Sequence, residues 1–127
     1  MAMTKPLALL HYIHLLPGSQ LANRLHELGY RVQVINELEG IDKVAQRETP
    51  ILMIAEISRK TKEGTCAAIA ALKANPATRH IPILAFSAEA DKPLQSALLQ
   101  SGASLLAGNL AILDQLPSLL DQILQVE

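Results

Sequence analysis

The sequence predicts an α/β fold in which a parallel β-sheet carries helices on both faces. Three observations support this. Short apolar runs alternate with amphipathic segments five times, the pattern of strands joined by crossover helices. Several of the runs are continuously apolar, as expected of strands covered on both faces. The chain has 127 residues, 50% of them hydrophobic, enough for one well-filled core but not two. Residues 1–127 are therefore read as a single domain.

The first strand is predicted over 7–13, an apolar run ended by Pro17-Gly18-Ser19. A helix follows over 20–28 with Leu21, Leu25 and Leu28 on one stripe, and Gly29 suits the left-handed position that closes a helix. The second strand is placed at 30–35 and a short helix at 40–47. Pro50 introduces the third strand, 51–54, which ends near Glu56. A polar loop, Ser58-Arg59-Lys60-Thr61-Lys62-Glu63-Gly64, leads into a helix over 66–74. The fourth strand, 81–86, delivers Ser87 at its carboxyl end, where sheets of this kind place their ligands and chemistry. A helix over 91–101 is stopped by Gly102, the fifth strand covers 103–107, and a last helix covers 110–126. In that helix Leu116, Leu119, Leu120, Ile123 and Leu124 recur at helical spacing.

Composition removes several functional classes. A formal charge of −1, with Lys and Arg scattered, gives no footprint for nucleic acid or an anionic membrane. Cys66 is the sole cysteine, which excludes an internal disulfide and a CxxC framework. The apolar run after Lys5 is interrupted by His11, Tyr12 and His14 and is not followed by a small-x-small cleavage site, so it is read as a strand rather than a signal peptide. No stretch approaches the ~18 apolar residues of a membrane span. A cytoplasmic location is expected.

Several segments resemble the receiver domain of bacterial response regulators. They are Pro50-Ile-Leu-Met-Ile-Ala-Glu56-Ile57, Gly64, residues 72–88 (Leu-Lys-Ala-Asn-Pro-Ala-Thr-Arg-His-Ile-Pro-Ile-Leu-Ala-Phe-Ser-Ala), Ser101-Gly-Ala103 and the helix exit Leu28-Gly29-Tyr30. The resemblance runs through the chain in order and is strongest over 50–103. It implies a doubly wound, flavodoxin-like sheet of five strands in the order 2-1-3-4-5. It also implies phosphoryl transfer to an aspartate after the third strand. In working members of that family an acidic pair after the first strand holds Mg²⁺, a hydroxyl follows the fourth strand, a lysine follows the fifth, and an aromatic switch residue lies on the fifth.

Carried over position by position, the acceptor becomes Glu56, the acidic pair falls near His11 and Tyr12, the hydroxyl is Ser87, the lysine becomes Asn109 and the aromatic becomes Leu106. No Asp or Glu precedes Glu27. Phosphoryl transfer rests on positioning and charge neutralisation. Mg²⁺ wants carboxylate oxygens, and Asn109 offers a neutral amide where a lysine would give a charge-assisted hydrogen bond of roughly 1.5–3 kcal/mol. A degenerate pseudo-receiver is therefore expected, without Mg²⁺-dependent autophosphorylation, enzymatic activity or cofactor. Glu56 is either a mimic of a phosphorylated aspartate or a carboxylate tolerated at a solvated strand end. The second reading is adopted, because the groups that would read a mimic are missing.

Other constellations are weaker. His11 and His14 with Glu56 have the donor types of a zinc or iron site. Three residues apart in an extended strand, however, the two histidines face opposite ways and converge only if the strand ends between them. His80 is read as a turn residue and His26 as part of a polar helix face. Ala85-Phe86-Ser87-Ala88-Glu89 lacks the glycines of a nucleophile elbow, and Pro17-Gly18-Ser19 is too short for a phosphate-cradling loop. An apolar surplus at Leu94, Leu98, Leu105, Ile112 and Leu113 suggests a protein partner or a homodimer on the face made by the fourth helix, fifth strand and last helix. Two other readings are kept: a small-ligand sensor using His11, Tyr12 and Ser87, and a receiver with a displaced acceptor such as Ser58 or His11.

Overall fold

The computed structural model describes residues 5–88 and 91–124. In chain order the elements are β1 (Leu7–His11), α1 (Leu15–Glu27), β2 (Arg31–Val34), α2 (Ile41–Glu48), β3 (Leu52–Glu56), α3 (Lys62–Ala74), β4 (Ile83–Ser87), α4 (Lys92–Ser101), β5 (Leu105–Gly108), α5 (Asn109–Asp114) and α6 (Leu116–Leu124). The strands form one parallel sheet in the order β2-β1-β3-β4-β5. The chain winds one way from β1 to β2 and the other way from β1 to β3, so the crevice above the carboxyl ends of β1 and β3 is the topological switch point.

Strand alternation divides the core between the two faces. Leu9, Met53, Ala55, Ile83 and Ala85 pack under α2, α3 and α4, with Ile41, Ile69, Leu72, Leu94 and Leu98. Leu10, Ile54, Leu84 and Phe86 pack under α1, α5 and α6, with Leu21, Leu25, Ile112, Leu116 and Leu120. Each of the Leu, Ile, Met and Phe side chains among them, removed from water, contributes about 1.5–3 kcal/mol. The three central strands are therefore apolar along their length, as expected.

Two prolines fall otherwise than the sequence suggested. Pro17-Gly18-Ser19 lies inside α1 rather than forming a break before it. Leu16, before the proline, departs from helical geometry (φ −82°, ψ 46°), as residues preceding proline tend to do. Proline is tolerated in a first helical turn because its missing N–H has no partner there. Pro117 acts similarly. The single helix expected over 110–126 is two, α5 and α6, divided at Gln115, with Pro117 in the first turn of α6; the expected end at Val126 lies outside the described residues. β1 ends at His11, two residues short of Ile13, and α3 begins at Lys62, inside the loop predicted over 58–64.

Polar groups tie the lower edge of the sheet. The buried Thr78 hydroxyl donates to Leu72 O at 2.7 Å, and Lys73 Nζ donates to Arg79 O and Ile81 O at 3.1 and 2.7 Å. Partial burial draws the Lys73 ammonium below the ordinary lysine range. The stem of Lys73 lies over Gly102, which closes α4 at φ 113°. A Cβ at Gly102 would lie 2.5 Å from Lys73 Cγ, whereas one at Gly29 (φ 96°) would meet nothing within 4 Å. Gly102→Ala is therefore expected to cost about 2–3 kcal/mol of unfolding free energy and Gly29→Ala about 1–2 kcal/mol, read by urea denaturation. The difference reports the collision with Lys73.

Candidate functional site

Register decides which groups meet at the switch point. His11 pairs with Ala55, so Glu56 extends one residue past the end of β1 and lies against the turn that follows it. Within β3, Glu56 has the parity of Leu52 and Ile54, which face α1. Its side chain therefore reaches the β1–α1 turn. Oε1 accepts hydrogen bonds from the amides of Ile13 (2.7 Å) and His14 (3.0 Å), and Oε2 accepts one from His14 Nδ1 at 2.7 Å. Glu56 is 2% exposed, while the His14 side chain is 66% exposed. The carboxylate is not at a solvated strand end, as the sequence suggested. It is buried and held in a clasp of three donors.

The other predicted site residues do not converge on it. His11 has the parity of Leu7 and Leu9 and faces the α2–α3 side, where its Nδ1 donates to Ile35 O at 2.8 Å. Tyr12 packs with the α1-side core over Gly18, so closely that a Cβ there would come within 2.2 Å of the ring. Ser87, 1% exposed, lines the same cleft as Glu56. Asn109 opens α5 with its Oδ1 buried and without a hydrogen-bond partner among the described residues. Leu106 is half-buried against the α2–α3–α4 core. The pocket expected from His11, Tyr12, Ser87 and Asn109 is therefore not one pocket, because alternate parity sends His11 and Tyr12 to opposite faces.

The cleft above Glu56 has a volume of about 490 Å³ and is walled by Ile13, His14, the 57–61 loop, Ser87 and Ala88. The loop is a tight turn. Thr61 N donates to Ser58 O at 3.1 Å, and Ser58 N donates to Thr61 Oγ1 at 3.0 Å. Arg59 reaches over to Asp91, its Nε donating to Oδ2 at 3.1 Å and its Nη2 to the same oxygen. Asp91 caps α4 by accepting from Leu94 N at 3.0 Å. The Arg59 hydrogen bond and the Leu94 amide hold the Asp91 carboxyl below the usual carboxylate range.

The apolar surplus on the α4–β5–α5 side also needs correction. Leu94 is 1% exposed, and Leu98 and Ile112 are fully buried; Leu105 and Leu113 are half-buried against the core. These residues fill the sheet–helix interior. The exposed apolar side chains nearby are Leu99 and Leu110, and the β1–α1 turn adds Leu15 and Leu16.

No protein-family model matches the chain, and no curated protein matches it in sequence. Solved structures do match. A response regulator from Thermotoga maritima is 18% identical with a TM-score of 0.79, covering 96% of this chain and 98% of its own. The receiver domain of a sensor histidine kinase from Pseudomonas aeruginosa, with magnesium coordinated in its active site cleft, is 20% identical with a TM-score of 0.80, over 96% and 98%. The activated N-terminal receiver domain of RstA from Klebsiella pneumoniae is 17% identical with a TM-score of 0.77, over 94% and 99%. The chain has the receiver-domain fold, with the expected strand order.

The clasp is lopsided, with a buried acceptor and an exposed imidazole. Glu56→Ala leaves two backbone donors without their carboxylate and is expected to cost about 2–3 kcal/mol. His14→Ala removes an exposed partner and should cost under about 1 kcal/mol. Urea denaturation gives both values, and hydrogen exchange at the Ile13 and His14 amides should accelerate far more in the Glu56 variant.

Proposed function

We propose that the chain is a phosphorylation-incompetent pseudo-receiver, a protein-interaction module of a bacterial signalling or regulatory pathway rather than an enzyme. The observation that carries this reading is the clasp. The carboxylate at the acceptor position already spends both oxygens on the β1–α1 turn. In-line attack on a phosphodonor needs a free oxygen pointing out of the cleft, and freeing one would strip buried backbone donors of their acceptor.

The donor set does not fit magnesium. The Pseudomonas receiver domain coordinates that ion in its cleft, and Mg²⁺ needs near-octahedral oxygen ligation at ~2.0–2.1 Å. Here Glu56 is engaged, His11 faces the other side of the sheet and Tyr12 is packed on Gly18. Among the described residues, no three His, Cys, Asp or Glu side chains come together as a metal site. Asn109 supplies no positive charge where a phosphoryl group would arrive. Glu56 is also a poor phosphoaspartate mimic, since it is spent on the β1–α1 turn.

What remains for such a module is its surface. Leu99 on α4 and Leu110 on α5 are 48% and 79% exposed, and they offer an apolar contact to a protein partner, a second copy of this chain included. No helix among the described residues is long and apolar enough to cross a membrane.

Incubation with acetyl phosphate and Mg²⁺ is expected to give no phosphoryl mass gain. Beryllofluoride with Mg²⁺ is expected to leave the amide spectrum unchanged. Modification of Glu56, or of Ser58 or His11 as displaced acceptors, would overturn the reading.

A further inference from the structure

A second depression, distinct from the Glu56 cleft, opens between α2 and α3 on the opposite face of the sheet. It has a volume of about 570 Å³, within the range of small-molecule sites. Leu38 and Ile41 form one wall, and the small side chains of Ala68 and Ala71 on α3 leave the space open. Small residues alone would mean only a shallow helix pair. Two polar groups that can bond a guest line this groove.

The first is Thr65. It is 1% exposed yet lines the groove, and its amide is used within the helix by Thr61 O at 3.0 Å. Its hydroxyl stands at the groove wall, where it can donate a hydrogen bond to a guest or accept one. The second is His11, also a lining residue. The Ile35 carbonyl can only accept, so Nδ1 carries the proton of the neutral ring and Nε2 is left as a hydrogen-bond acceptor. Glu39, Asp42 and Lys60 stand at the rim, a mixture of signs that gives an anion no net attraction.

We propose that the α2–α3 groove binds a small, uncharged, largely apolar molecule carrying a hydrogen-bond donor for His11 Nε2 and a polar atom for the Thr65 hydroxyl. Lys60 and Thr61 line both this groove and the Glu56 cleft, so an occupant presses on the loop that walls the remnant site. The proposal goes beyond the pseudo-receiver reading and stands apart from it; a chain that took up phosphate would leave the groove untouched.

Indazole is a suitable probe, since it is flat and apolar with an N–H donor beside an acceptor nitrogen. 1,2-Benzisoxazole has the same shape and the same acceptor nitrogen, with an oxygen in place of the N–H donor. Titration of the full chain followed by amide shifts should show saturable indazole binding at about 1 mM, as expected of a nine-atom fragment. The shifts should centre on residues 38–42 and 64–71. 1,2-Benzisoxazole should bind about fivefold more weakly, and Thr65→Val should weaken indazole similarly, each having lost one hydrogen bond. His11→Phe tests the ring, and Thr65→Val keeps the test decisive if that variant unfolds. Unsaturated shifts up to about 10 mM, shifts centred elsewhere, or equal binding of both probes and of the Thr65→Val protein would overturn the proposal.

Discussion

A buried carboxylate must be satisfied within its side chain's reach, and at the top of this sheet that requirement sets the local structure. Glu56 lies where the three central strands end, in surroundings of low effective dielectric, where an unpaired charge would cost several kcal/mol. Its partners follow from two facts of the sheet. Parity turns it toward α1, and register puts it one residue beyond His11, beside the first backbone amides released from β1. Two amides pointing at one carboxylate oxygen, with an imidazole on the other, form a small anion nest whose anion is covalently part of the chain. The nest also fixes the β1–α1 turn and with it the exposed Ile13, Leu15 and Leu16.

The architecture was legible because it rests on patterns that burial enforces. Five apolar runs with helical segments between them leave little but a parallel sheet, and Gly29, Asp91 and Gly102 marked helix ends that the structure keeps. Prolines were the ambiguous signal. Pro17 and Pro117 each sit within a first helical turn, and sequence alone cannot tell a proline that ends one element from a proline that opens the next. Leu94, Leu98 and Ile112 were misassigned for a related reason. A helix on an open sheet buries a broad stripe, so an apolar excess over a narrow stripe is core rather than interface.

The site was only half legible. Glu56 and Ser87 sit at strand carboxyl ends and share a cleft, as their positions implied. His14 was set aside because it cannot meet His11 within one strand, and the condition attached to that argument, a strand ending between them, is what the structure contains. The extra methylene of Glu over Asp was the available clue. A longer carboxylate at this position can reach across to the neighbouring turn, and a histidine in that turn is the side chain able to meet it.

The two depressions share a wall, and that wall is stiff. The 58–61 turn is closed by hydrogen bonds in both directions between Ser58 and Thr61, and Arg59 is tied to Asp91 at the cap of α4. A turn held at both ends transmits displacement rather than absorbing it, because packed elements shift between discrete arrangements. Lys60 and Thr61 border the α2–α3 groove as well as the Glu56 cleft, so the loop is reached from both depressions. The clasp and the groove are in this sense complementary. On the readings proposed above, the clasp withholds an ionic input at the switch point and the groove offers an uncharged approach to the same loop.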